Sequence, residues 1–81
     1  MNNNMNKSKT LKHQIEVTVE KGEDKTYSAF ISGENPLPFG LIGDGNTVQE
    51  AIDDFMQSFE DMKSYYNKSN MEFPNNVNFS F

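Results

Sequence analysis

The sequence predicts an α+β domain in the order β-β-β-α-β, a mostly antiparallel sheet with one helix packed on one face. Three observations carry that expectation. Residues 11–20 alternate apolar and polar side chains, residues 48–66 repeat apolar ones on a helical period, and the last five residues alternate again.

Met1 to Thr10 are rich in Asn, Lys and Ser without periodicity, and read as a disordered leader before a single domain over 11–81. In the first predicted strand, Leu11, His13, Ile15, Val17 and Val19 share one face, and Lys12, Gln14, Glu16, Thr18 and Glu20 the other. Lys21 to Lys25 supply a turn in which Gly22 can take positive φ. Thr26 to Ser32 form the second strand of an antiparallel hairpin. Pro36 and Pro38 then enforce a loop, because neither can donate to a ladder. A short third strand is predicted around Phe39 to Ile42, followed by a glycine turn at Gly43-Asp44-Gly45-Asn46.

The helix is the clearest element. Thr47 stands at its N-cap, and Glu50 three residues later completes a capping box. Val48, Ile52, Phe55, Phe59, Met62 and Tyr66 then form one apolar stripe. The polar run Asn67 to Asn70 ends it near Tyr66. After Pro74, Val77, Phe79 and Phe81 alternate with Asn78 and Ser80 in a final strand.

Eighty-one residues bury only roughly 60–65% of their unfolded surface, so the core is marginal. No cysteine is present to staple it. Self-association, as a homodimer or higher oligomer, is the expected supplement. No stretch reaches the length of a membrane span and the N-terminus has no signal-peptide core, so a cytoplasmic location is expected. Seven lysines, no arginine and twelve acids give a net charge of −5. That balance disfavours direct nucleic-acid binding and suits a basic protein partner.

No catalytic, cofactor or metal site emerges. His13, the only histidine, reads as an edge-of-core residue with no nucleophile near it in sequence. Asp44, Asn46 and Glu50 miss the calcium-loop spacing, and a turn plus a cap accounts for them. Gly40, Gly43 and Gly45 precede the helix without the lysine of a phosphate loop. Asp53, Asp54, Glu60 and Asp61 lie off the apolar stripe. Acid–base work would require a pocket that shifts their pKa values, so they read as a solvated face or a surface for a basic partner.

Several segments resemble a known family. The I-x-V-x-V strand from Ile15, the run Tyr27-Ser28-Ala29-Phe30, and above all Gly43-Asp44-Gly45-Asn46-Thr47-Val48-Gln49-Glu50-Ala51-Ile52 are similar to the N-terminal domain of HicB-type antitoxins. Met62 to Tyr66 and the strand Val77 to Phe81 resemble a longer-helix subgroup. The resemblance implies a degenerate RNase H-like domain without catalytic carboxylates, which oligomerises and occludes a small basic RNA-cleaving toxin of the HicA type. Family members usually continue into a DNA-binding domain, which these residues do not contain, so operator binding is not expected of them. The expected function is therefore non-enzymatic toxin binding, with Asp53, Asp54, Glu60 and Asp61 as the partner face. The alternative is a solitary structural or regulatory oligomerisation domain, pairing between subunits through the terminal strand or the edge of the third.

Overall fold

The computed structural model describes residues 13–74 and 76–81. The leader predicted for Met1 to Thr10 lies outside them. The elements are β1 (His13–Lys21), β2 (Tyr27–Ile31), β3 (Ile42–Gly45), α1 (Val48–Lys68) and β4 (Val77–Ser80). This is the α+β order that the sequence predicts. The four strands form one sheet in the order β3-β2-β1-β4. β1 pairs antiparallel with β2, and β2 with β3, while β4 joins β1 in parallel.

β1 divides its length between two neighbours. Val17 to Lys21 pair with β2, and His13 to Glu16 pair with β4. The hairpin loop departs from expectation at its tightest residue. Lys25, not Gly22, takes positive φ, at 70°. Asp24 secures that loop, accepting from the Thr26 hydroxyl at 2.7 Å and the Thr26 amide at 3.0 Å. Those bonds hold the Asp24 carboxyl below its ordinary value.

The third strand lies later than predicted. Gly43, Asp44 and Gly45 are strand residues, opposite Ala29, Ser28 and Tyr27. No glycine among the described residues has positive φ, so turn geometry does not explain them. Close approach does. A Cβ on Gly43 would overlap the backbone of α1 at Ala51 O and Phe55 N, and would stand 2.7 Å from Phe55 Cα. One on Gly45 would stand 2.7 Å from Ala51 N. The helix backbone therefore rests directly on β3.

Ile15, Ala29, Ala51 and Phe55 are fully buried, with Val17, Leu37 and Leu41 nearly so. The centre of the helix face is thus Ala51 and Phe55, where α1 meets Gly43. Val48, predicted at the head of the stripe, is 46% exposed. Leu37 enters the core from the proline loop, which Asn35 braces by accepting from the Leu37 amide and donating to the Phe39 carbonyl, both at 3.0 Å.

The helix runs two residues beyond the predicted end. Asn70 takes φ 57°, with Met71 N–H bonding Tyr66 O and Asn70 N–H bonding Asn67 O. These two bonds make a Schellman cap. The chain then turns Phe73 back beneath the helix, its ring centroid 5.4 Å from both Phe59 and Tyr66 and 5.9 Å from Phe39. Phe79 of β4 continues the aromatic layer, edge-on to Phe55 and Phe59 at 5.3 and 5.1 Å.

Candidate functional site

The helix surface away from the sheet is acidic, and its carboxylates fall into two groups. Asp53, Asp54, Glu60 and Asp61 are all exposed, and it is their hydrogen bonds that divide them. Asp53 accepts from Gln49 Nε2 at 2.9 Å, and Asp61 accepts from Gln57 Nε2 at 3.1 Å. Both bonds span one helical turn and orient the carboxylates without neutralising them, because the donors are uncharged amides.

Asp54 has a different task. Its carboxylate accepts from the Asp44 amide at 2.9 Å, closing an outward backbone group of β3. One turn later, Ser58 Oγ donates to Ile42 O at 3.3 Å on the same strand. Ser58 is a residue that the sequence reading missed. Its spacing of four from Asp54 is the signal that places both on one flank of α1. All four carboxylates stay exposed: Asp53 and Glu60 share one side of α1, Asp54 and Asp61 the neighbouring side, and Asp54 also bonds the backbone of β3.

The predicted cap is present in altered form. Thr47 Oγ1 accepts from the Glu50 amide at 3.1 Å. Glu50 Oε1 reaches back to the Asn46 amide at 2.8 Å rather than to that of Thr47. Asp44 is held on the open sheet face by Ser28 Oγ at 2.8 Å. Glu50 and Asp54 thus each hold a backbone amide of the β3–α1 junction, and Asp44 ties β3 to Ser28 of β2.

An open cleft of about 470 Å³ lies beside the start of β1, lined by His13, Glu72, Phe73, Pro74, Asn76 and Val77. His13 and Glu72 both line it, and among the described residues no Ser, Thr or Cys does. Among the described residues, no group of three or more His, Asp or Glu converges as a metal site. Nor is any helix among them long and apolar enough to cross a membrane. What this geometry offers is surface, a negative helix face and a sheet with unequal edges. Comparison with family models, curated proteins and solved structures found no match to this chain.

Proposed function

We propose that this chain is a non-enzymatic, HicB-like antitoxin-type domain of the cytoplasm. It self-associates and binds a small basic RNA-cleaving toxin of the HicA type. The observation that carries the reading is the exposed acidic surface of α1 that includes Asp53, Glu60 and Asp61, two of whose carboxylates are oriented by neutral glutamines. A net charge of −5 reinforces it, since opposite potentials accelerate and orient association. Asp54 contributes negative potential to this surface while its carboxylate holds β3.

The test is calorimetric titration with a HicA-like protein at low and high salt. Reversing Asp53, Glu60 and Asp61 to lysine removes three exposed pairs worth roughly 0.5 kcal/mol each, so affinity falls about ten-fold at low salt. Unchanged affinity refutes the face, and no binding by the parent chain refutes the partner. A second reading, a solitary structural or regulatory oligomerisation domain, is favoured by one observation, the uncovered outer edge of β4 among the described residues.

A further inference from the structure

The two edges of the sheet are finished differently. On β3, α1 takes two of the outward groups, the Asp44 amide through Asp54 and the Ile42 carbonyl through Ser58. On β4, no strand among the described residues pairs with the outer edge. His13 N–H donates to Asn76 O at 2.6 Å, which fixes the alternation along the parallel ladder. Asn76, Asn78 and Ser80 turn their backbone groups inward to β1. Val77 and Phe79 turn an N–H and a C=O each outward. Such an edge is a template for another strand.

We propose that β4 is a self-pairing edge. A second copy of this chain adds its own β4 antiparallel across a two-fold axis, extending each four-stranded sheet into the other. This deepens the self-association in the function proposed above and uses nothing of the toxin reading.

Three features select a second copy as the occupant. The first is charge. Edge strands that resist association commonly carry charged side chains. Val77-Asn78-Phe79-Ser80-Phe81 carries none on its side chains, in a chain whose net charge is −5. Two acidic copies meet here without like side-chain charges facing, and a basic partner finds no carboxylate side chain on the strand. The second is register. With Phe79 opposite Phe79 of the second copy, Val77 stands opposite Phe81, so outward donors meet outward acceptors on both sides of the axis. The third is the exposed aromatic rim. Phe81 is 51% exposed although its ring lies 5.8 Å from Phe55 and 6.3 Å from Phe79. The two-fold sets both helices on one side of the joined sheet, where each Phe81 covers the Val77 rim of the other copy.

The experiment combines sedimentation equilibrium with amide hydrogen exchange on the full chain. The expected result is a dimer whose Val77 and Phe79 amides exchange about a hundred-fold more slowly when concentrated than when dilute. In the variant Asn78→Lys/Ser80→Lys, four lysines cluster at the junction. It is expected to be monomeric with an unchanged circular dichroism spectrum. Glu20→Lys makes the same change in net charge at an exposed β1 position and is expected to leave the dimer intact. Three results overturn the proposal: a monomer at high concentration, a dimer whose Val77 and Phe79 amides exchange freely, or a monomer in which they are protected by the chain's own residues. The parent chain's exchange decides the matter even if the double variant fails to fold, and a failed toxin titration does not touch it.

Discussion

Gly43→Ala is the sharpest perturbation of this fold, because one methyl group must enter space that the helix backbone occupies. The added Cβ would overlap Ala51 O and Phe55 N and stand 2.7 Å from Phe55 Cα. Carbon atoms prefer about 3.5–4.0 Å, so α1 must lift by roughly 1 Å, and a gap of that size forfeits about a quarter to a half of each contact it opens. Ala51 and Phe55 are both fully buried, so the loss falls at the centre of the core. Overpacking typically costs about 1–3 kcal/mol, and the loosened Phe55 site places the variant at about 3 kcal/mol. A chain of this length is stable by roughly 4–12 kcal/mol, so the variant keeps a folded state at reduced stability. In urea unfolding with a slope of about 1 kcal/mol per molar, the midpoint falls by about 3 M. Gly40→Ala is the control, since nothing lies within 4 Å of its Cβ, and it is expected to stabilise by roughly 0.4–1 kcal/mol through the unfolded chain. A Gly43→Ala midpoint within error of the parent, or equal losses at both positions, refutes the argument that the helix rests on β3.

Two further outcomes are expected. Asp54→Ala leaves the Asp44 amide without its acceptor and costs about 1 kcal/mol in urea unfolding, with non-additive coupling to Ser58→Ala because both bonds hold one edge. Asp24, carrying bonds from Thr26, titrates below its ordinary value of 3.8. A lowered folded pKa gives a stabilisation that is complete above the unfolded value and is lost as pH falls through the folded one. Carboxyl NMR is expected to follow that shift, and Thr26→Val to reverse much of it. An unshifted Asp24 in the parent chain contradicts the hydrogen-bond account.

What the sequence revealed depended on whether the cause was local. Strand alternation in β1 and the helical repeat from Ile52 to Tyr66 are properties of consecutive residues, and a strand and a helix form over the described parts of both stretches, the helix ending two residues later than expected. Gly43 and Gly45 were misread because glycine serves two purposes, positive φ and the absence of a side chain. Only knowledge of what packs above β3 separates them. Asp54 shows the same limit. Its spacing removes it from the apolar stripe, but whether its flank meets solvent or a strand edge is a property of topology. Leu37 gave little signal, since two prolines around a single leucine read as surface loop. Phe73, isolated between helix and strand, has no periodicity from which to infer burial.

The parallel pairing of β1 with β4 makes the sheet depend on distant parts of the chain. Its partners, His13 with Val77 through Glu16 with Ser80, are 64 residues apart, whereas Lys21 and Tyr27 in the hairpin are separated by six. Loop-closure entropy rises as (3/2)RT ln n, so the distant pairing carries roughly 2 kcal/mol more of that cost than the hairpin. On that cost β4 is expected to dock late in folding and to detach early when a single copy partly opens. When it leaves, the aromatic layer beneath α1 loses Phe79 while the β1–β2–β3 unit persists. The inward amides of Asn78 and Ser80 report that opening, on a separate clock from the hairpin.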